Sequence, residues 1–368
     1  MRKNKFSKLL SMFLALTMTL SLASCGSAQS STEQKENSGA VIEQETEEEQ
    51  PAEEPSEEET EKTQEPVLEK VDINLAALKG PTALGMLDFL EKNDNGEAAN
   101  NYNVTLAGAP DEIVGKIVSG DLDIAAVPTN VASTLYNKTQ GGVKLAALNT
   151  MGVLYILEKG DSIQSVADLA GKTIYATGQG STPEYALNLV LEKNGLTPGE
   201  DVTIVYKDEH AEIAPLLASG EAEIALLPQP FVTSVLTQNS DVRVALDLTE
   251  EWDKAVEGQS GLTMGCVVVR SEFAENNKEA LDSFLDEYKA SVETVTSEEG
   301  LSHAAELSEK YDIMKAAVAQ QAIPECNIVF VEGDEMQQIA SGFLQVLYDA
   351  NPQSVGGNLP NEDFYYKR

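Results

Sequence analysis

Ser119-Gly120-Asp121-Leu122-Asp123-Ile124-Ala125 is nearly repeated 100 residues later, as Ser219-Gly220-Glu221-Ala222-Glu223-Ile224-Ala225. A Glu-Ile pair precedes each copy, a proline follows each copy, and upstream Gly80-Pro81-Thr82 matches Gly180-Ser181-Thr182. A period this long that occurs only twice predicts two similar lobes rather than a stacked array of repeats. We expect a ligand to lie between the two lobes.

Short apolar strands alternate with helical patterns in both copies. The patterns predict strands over 71–78, 102–106 and 123–127 in the first copy, and over 173–177, 202–206 and 224–227 in the second. Two more strands, over 145–157 and 262–269, predict that the chain crosses to the second lobe and back, and the helical stretch 272–348 belongs with the first lobe. Strands and helices that alternate at this length favour parallel pairing. The predicted fold is therefore α/β, with two lobes that are each a mostly parallel sheet flanked by helices.

The first 25 residues have the features of an export signal. Four basic residues precede an apolar run, residues 9–23, that is too short to span a bilayer. The run ends in Leu22-Ala23-Ser24-Cys25-Gly26, which resembles the bacterial lipobox, and that resemblance implies lipidation of Cys25. We therefore expect an extracytoplasmic protein that is lipid-anchored to the cell membrane of a bacterium.

Residues 26–70 have the composition of a disordered acidic tether. Residues 31–70 contain 15 Glu and 3 Lys, no aromatic residue and only four large aliphatic residues, so they cannot bury enough apolar surface to fold. The remaining ranges are assigned as 71–155 for the first part of lobe 1, 156–262 for lobe 2, and 263–368 for the return to lobe 1 with the C-terminal helices. The formal net charge of −36 argues against binding to nucleic acid.

The few cysteines and histidines give no sign of a catalytic or metal centre. Cys266 and Cys326 could form a disulfide in an exported protein, or they could be two buried free thiols, and the sequence leaves both alternatives open. The two histidines, His210 and His303, have no zinc-ligand spacing with the cysteines and no nucleophile beside them. We predict no catalytic residue, no metal and no cofactor, and thus not an enzyme.

Ligands of open α/β sheets bind at the carboxyl ends of the strands, where two such edges would here face each other. The loops at these edges are rich in neutral hydrogen-bonding groups and helix starts, whereas the three arginines of residues 71–368 lie elsewhere. Tyr185 and Trp252 are aromatic candidates that more often pack in a core. The predicted ligand-binding residues are Pro81, Thr82, Pro128, Thr129, Asn130, Asn149, Thr150, Gly180, Ser181, Thr182, His210, Gln229, Phe231 and Thr263.

The conjunction of the lipobox, the Ser-Gly-Asp-Leu-Asp-Ile-Ala stretch, Asp168-Leu169-Ala170-Gly171-Lys172 and Pro228-Gln229-Pro230-Phe231 resembles the substrate-binding lipoproteins of ABC importers. The resemblance is to the nitrate, sulfonate, taurine and thiamine-pyrimidine-precursor branch. It implies a type II periplasmic-binding-protein fold that captures a small molecule between its lobes and delivers it to an ABC permease and ATPase complex, and we expect a monomer. The alternative is an enzyme or a ligand sensor, because the same fold resembles menaquinone-pathway dehydratases and pyrimidine synthases. The missing catalytic constellation favours binding.

Overall fold

The computed structural model describes residues 70–368, so the predicted signal, Cys25 and the tether up to residue 69 lie outside the described residues. The strands are Asp72–Leu78 (β1), Asn101–Ala107 (β2), Ile124–Pro128 (β3), Val143–Met151 (β4), Leu154–Lys159 (β5), Thr173–Ala176 (β6), Thr203–Tyr206 (β7), Ile224–Pro228 (β8), Val242–Asp247 (β9), Thr263–Arg270 (β10) and Ile328–Val331 (β11). The helices are Pro81–Leu84 (α1), Leu87–Asp94 (α2), Pro110–Ser119 (α3), Thr129–Thr139 (α4), Thr182–Lys193 (α5), Ile213–Ser219 (α6), Phe231–Gln238 (α7), Leu248–Ala255 (α8), Ser271–Asn276 (α9), Lys278–Thr296 (α10), Leu301–Lys310 (α11), Ala316–Ala322 (α12) and Gly333–Ala350 (α13).

The repeated stretch forms the same turn in both copies. Helices α3 and α6 end at Gly120 and Gly220, whose φ angles of 84° and 77° lie in the left-handed region. Only glycine enters this region without steric cost, so it reverses the chain and stops each helix. The residues that follow form β3 and β8, which are almost completely buried, as parallel strands covered on both faces should be.

Two separate sheets carry the two copies of the repeat. In the first sheet the strand order is β11-β4-β10-β3-β1-β2, and in the second it is β7-β6-β8-β5-β9. Strand β1 pairs in parallel with β2 and β3, as β6 does with β7 and β8, which confirms the predicted parallel pairing. Each parallel set is extended by antiparallel strands, β10 on β3 and β5 on β8. The duplicated sequence therefore builds two equivalent lobes.

The chain passes between the lobes at two places. The predicted single strand over 145–157 is wrong, because β4 ends at Met151 in the first sheet and β5 begins at Leu154 in the second. Gly152 and Val153 form this crossing, so the change of sheet comes slightly before the expected end of lobe 1 at residue 155. The return crossing, residues 256–262, leads from α8 into β10.

The C-terminal stretch is not entirely helical. The expectation of helix throughout 272–348 is wrong at β11, a short strand that pairs with β4 at the edge of the first sheet. Strand β9 and helix α8 of the second lobe were not predicted at all. On α3, Ile113 and Ile117 are buried, whereas Val118 is exposed.

Arginine-paired carboxylates lie at the bases of both lobes. Asp123 and Glu158 are the two charged side chains that are buried among residues 70–368. Arg270 binds Asp123 at 2.9 Å, and Arg243 binds Glu158 at 2.8 Å. Asp123 directly precedes β3, and Glu158, near the end of β5, is paired with Ile224 at the start of β8. Both carboxylates therefore lie away from the carboxyl ends of the parallel strands. Burial without a partner would cost several kcal/mol for each ion.

Cys266 and Cys326 are both buried free thiols. Of the two alternatives that the sequence left open, the structure therefore has free thiols rather than a disulfide. Burial raises the pKa of both thiols, which therefore remain protonated at neutral pH. Within residues 70–368, no helix is both long and apolar enough to cross a membrane.

Candidate functional site

Neutral polar side chains from both lobes meet at the carboxyl ends of the parallel strands. Helices α1, α4, α5 and α7 begin there, each directly after a strand or its turn. Most of the predicted site residues at this position have almost no solvent exposure. We use the name interlobe site for Thr82, Thr129, Asn130, Thr182, Thr263, His210 and Phe231.

The first lobe contributes a group of hydroxyls. The Oγ1 atoms of Thr129 and Thr263 are 2.5 Å apart, which joins the start of α4 to the start of β10. The hydroxyl of Thr82 donates to the Leu78 carbonyl oxygen at 2.9 Å. All three side chains are less than a tenth exposed. Hydroxyls both donate and accept, so this surface can bind either kind of polar group without bringing a charge.

Asn149 and Thr150, also predicted, lie in the second layer behind these hydroxyls. Thr150 donates to the amide oxygen of Asn149 at 3.1 Å, and both residues have no exposed surface. They lie close to Gly265 of β10, where a Cβ atom would come within 2.7 Å of Thr82 Cγ2. Gly265 is therefore part of the site, because only hydrogen fits between the threonine and the asparagine. No sequence pattern marked Gly265 as a site residue.

Asn130 and Thr182 connect the lobes directly. The Thr182 hydroxyl on α5 donates to Oδ1 of Asn130 on α4 at 3.1 Å. Nδ2 of the same asparagine donates to the carbonyl oxygens of Gly180, at 3.4 Å, and Ser354, at 3.0 Å. Thr182 and Asn130 are completely or almost completely buried. The first turns of α4 and α5 therefore meet, and the lobes are in contact.

The second lobe contributes an imidazole and a phenyl ring. The ring centroids of His210 and Phe231 are 4.6 Å apart, and Nδ1 of His210 lies 2.5 Å from the Thr177 hydroxyl. Burial lowers the pKa of His210 to about 4, so the imidazole is uncharged at neutral pH. A Cβ atom at Gly80 of the first lobe would lie 4.0 Å from Phe231, which places this ring at the lobe boundary. Thr177 was missed, although it follows β6 directly, as a site residue in this fold should.

Four other predicted residues lie where helices begin. Pro81 begins α1, and Pro128 directly precedes α4. Ser181 precedes α5 and donates to the Gly178 carbonyl oxygen at 2.7 Å. The amide oxygen of Gln229 accepts from the N–H and the hydroxyl of Thr233 in the first turn of α7. The Gln229 side chain therefore caps the first turn of α7.

The remaining aromatic candidates differ from Phe231. Trp252 is fully buried, donates from Nε1 to the Ser260 carbonyl oxygen at 2.9 Å, and packs on Phe343 with ring centroids 5.5 Å apart. It is a core residue and not a ring-stacking surface. Tyr185 packs against the same core, and burial raises the pKa of its hydroxyl.

Two surface grooves in the described part of the chain lie elsewhere. The larger, about 710 Å³, follows the outer strand β2 and includes Asn103, Lys116 and Tyr311. The smaller, about 510 Å³, surrounds the C-terminal residues. Neither is lined by a residue of the interlobe site.

A family model described as ABC transporter, phosphonate, periplasmic substrate-binding protein matches residues 99–321, more than half of the chain. No curated protein matches the chain. Among solved structures, an ABC transporter from Parabacteroides distasonis shares 25% identity and a TM-score of 0.66 over 80% of this chain and 99% of its own.

Two sulfonate-binding proteins have the same fold at lower identity. The aliphatic sulphonate binding protein SsuA from Escherichia coli shares 17% identity, with a TM-score of 0.63 over 80% of this chain and 92% of its own. The alkanesulfonate-binding SsuA from Xanthomonas axonopodis pv. citri, bound to MOPS, shares 17% identity, with a TM-score of 0.61 over 79% and 94%. The two-lobed periplasmic-binding-protein fold that the sequence predicted is therefore confirmed. The chain belongs to the ABC transporter phosphonate periplasmic substrate-binding protein family and is a substrate-binding component of an ABC import system.

Proposed function

We propose that the interlobe site is where this substrate-binding protein captures its solute, and that the lobes close around the solute before delivery to the permease and its ATPase. The observation that carries the proposal is the convergence of buried, uncharged polar side chains from two separate sheets. A polar group that is buried without a hydrogen bond costs about 1–3 kcal/mol. A solute that displaces the hydrogen bonds these hydroxyls and amides make with one another must therefore offer replacements, which favours a polar solute.

The direct contact between Thr182 and Asn130 supports a closing motion. Both residues lie at the first turns of helices that belong to different lobes, 3.1 Å apart from hydroxyl to amide oxygen. The crossings at residues 152–153 and 256–262 are the segments that a hinge would use. A solute that bridges the two helix starts would stabilise the closed arrangement, since ligands stabilise the state that they bind better.

We also propose where the protein is located and how it is attached to the membrane. We propose that Cys25 is lipidated and that residues 26–70 hold a monomeric binding domain outside the cytoplasm, within reach of the permease. The lipobox-like sequence and the acidic tether support this arrangement. Metabolic labelling with a fatty acid analogue tests it, because labelling should be lost in Cys25→Ser and retained in Cys266→Ser.

A thermal-shift screen of the purified protein tests the site. Candidate solutes are sulfonates, inorganic anions, pyrimidines and small amines. A solute at 100 times its Kd adds about 2.7 kcal/mol of apparent stability. For any solute that binds, Thr129→Val and Thr182→Val should each weaken binding about fivefold, because each variant removes a net hydrogen bond worth about 1 kcal/mol.

Thr237→Val on the exposed side of α7 is the matched control and should bind as the wild type does. Equal affinity in all three variants would contradict the assignment of the site. We also propose that the chain binds its solute without converting it. Mass spectrometry of the solute recovered after long incubation checks this, and turnover that survives purification would favour the enzyme alternative.

A further inference from the structure

The side-chain amide of Gln229 is held in one orientation. Its Oε1 atom accepts the backbone N–H of Thr233 at 3.1 Å and the Thr233 hydroxyl at 2.9 Å. An amide turned the other way round would place its NH₂ group against that backbone N–H, donor against donor, so these hydrogen bonds fix which end is the oxygen. The Nε2 atom of Gln229 therefore points away from the first turn of α7.

Both protons of this Nε2 atom are available. Nε2 forms no hydrogen bond with any of residues 70–368, although Gln229 is only 6% exposed. Native proteins rarely leave a buried amide donor without a partner. The Nε2 atom thus marks a place where an acceptor from outside the protein binds.

Gln229 lies between the chain crossing and the lobe boundary. It follows β8 directly, and its backbone N–H donates to the Val153 carbonyl oxygen at 2.9 Å, in the first crossing. Phe231, two residues later, lies 4.0 Å from where a Cβ atom of Gly80 in the first lobe would be. The Gln229 amide is therefore at the carboxyl end of a parallel strand, on the side where the lobes face each other.

Other donors of the interlobe site are already used inside the protein. The Thr82 hydroxyl donates to a backbone carbonyl oxygen, and the Thr182 hydroxyl donates to the Asn130 amide oxygen. Nδ2 of Asn130 donates to two further backbone carbonyl oxygens. Nδ2 of Asn149 also lacks a partner, but this residue has no exposed surface. Gln229 can therefore bind an acceptor without breaking an existing hydrogen bond.

The helix starts beside Gln229 favour an acceptor that carries negative charge. Helices α4 and α7, with 11 and 8 residues, begin at the site without an acidic residue in the first turn. Helix α5 differs, because Glu184 lies in its first turn. Unpaired N–H groups and the helix dipole give the starts of α4 and α7 a partial positive charge. The NH₂ group of Gln229 adds two directed donors to this potential, and it repels an ammonium group.

We propose that Gln229 determines which solutes the interlobe site accepts, because its fixed NH₂ group donates to an oxyanion group of the solute, such as a carboxylate, sulfonate or phosphonate. The same NH₂ group discriminates against a solute that presents an ammonium group at this position. Thr233 is a positioning residue, since it acts through Gln229. The inference rests on the proposed function, because it concerns the solute of the same site.

Gln229→Glu tests this role with little change to the fold. A carboxylate accepts the same two hydrogen bonds from Thr233, so the variant keeps the cap of α7 and replaces only the free donor by an acceptor. Isothermal titration calorimetry at pH 8, which keeps the new carboxyl group ionised, compares methylphosphonate, methanesulfonate and acetate with ethylamine. We expect at least one oxyanion to bind the wild type below about 10 mM, and Gln229→Glu to weaken that binding about a hundredfold.

Two further variants separate the lost donor from the added charge. Gln238→Glu places the same charge at the exposed end of α7 and should bind as the wild type does. Gln229→Met removes the donor without adding a charge and should weaken the same probe about tenfold. The unliganded Tm of each variant shows whether it is folded. Unchanged affinity in folded Gln229→Glu or Gln229→Met would overturn the inference, as would a wild type that prefers ethylamine.

The threonine variants distinguish failure of this inference from failure of the proposed function. If Thr129→Val and Thr182→Val weaken binding of a solute from the thermal-shift screen and Gln229→Glu does not, the interlobe site stands and the inference fails. If only the Gln229 variants weaken binding, the assignment of the interlobe site fails and Gln229 keeps its role. If no oxyanion probe binds the wild type, the inference fails, whichever other solute the screen identifies.

Discussion

At the scale of single residues, the interlobe site consists of side chains that are ordinary in type and unusual in burial. Threonine and asparagine are mostly exposed in proteins, yet Thr129, Thr182 and Asn130 have almost no accessible surface. The sequence identified them because they follow strands at helix starts. It could not show that Asn130 and Thr182 touch, because that contact depends on how two lobes are oriented, and no local pattern encodes the orientation.

His210 should make the protein sensitive to mild acid. Its pKa is lowered to about 4, whereas in the unfolded chain it has the ordinary value of about 6.5. Between these values the unfolded chain binds the extra proton, so stability is complete above pH 6.5 and declines as the pH falls towards 4. We expect Tm to fall over this range by less in His210→Gln than in the wild type. Parallel profiles for the two proteins would contradict this account. His303→Gln, which removes the other histidine, serves as the comparison.

Gly265→Ala should weaken both folding and solute binding, because the new side chain would push on Asn149 and Thr82. The new methyl group would overlap the Asn149 amide oxygen and crowd Thr82, in a region with no free space. Overpacking of this kind costs about 1–3 kcal/mol, and we expect the free energy of unfolding to fall by that amount and solute binding to weaken. Gly261→Ala is the control, because its methyl group would meet only Met151 at 3.5 Å. Urea unfolding and calorimetry of both variants measure the difference, and similar values for both would rule out a special role for Gly265.

At the scale of elements, the sequence predicted those helix and strand boundaries that glycine and proline residues mark locally. The glycines at the ends of α3 and α6 and the prolines near the starts of α1, α3 and α5 mark most boundaries in both copies of the repeat. The boundary between β4 and β5 was missed because buried strands on both sides of Gly152 read as one apolar run. Strand β11 has only four residues between helices, too few for a periodic pattern to appear.

The pair of Arg243 with Glu158 should contribute strongly to the stability of the second sheet. Burial raises the pKa of Glu158, but hydrogen bonds from Ser162 and Ile163, together with Arg243, outweigh burial and lower it. Arg243→Met would leave a buried carboxylate without its cation, which costs about 3–5 kcal/mol. Urea unfolding should show this loss, whereas Lys254→Met, which breaks the exposed pair with Glu251, should cost less than about 1 kcal/mol. If Arg243→Met loses as little free energy of unfolding as Lys254→Met, then another group compensates the buried charge of Glu158.

At the scale of the whole molecule, the two lobes share one apolar core. A single cluster of buried residues includes Leu145 and Val268 of the first sheet and Ile174 and Leu226 of the second. The repeat predicted two lobes with separate sheets, as observed. It gave no indication that side chains from both would pack together, because such packing arises from the crossings and from α13 rather than from the repeated unit.

The shared core predicts that the lobes unfold together. Trp252, the only tryptophan, lies on α8 of the second lobe and packs on Phe343 of α13, next to the first lobe. Its fluorescence therefore reports on the junction, whereas far-ultraviolet circular dichroism reports on both lobes. We expect the two signals to change at the same urea concentration. A fluorescence transition at lower urea would show that the lobes separate before they unfold.

The last residues of the chain are held at the base of the first lobe. The Tyr366 N–H donates to the Leu145 carbonyl oxygen at 2.9 Å, and Arg368 binds Glu332 at 2.7 Å. Leu145 lies near the start of β4, whereas Asn149 and Thr150 of the same strand reach the interlobe site. A dye or a surface attachment placed after Arg368 would therefore stand at the opposite end of β4 from the proposed site. The fold is thus suited to an immobilised biosensor whose recognition face stays unobstructed.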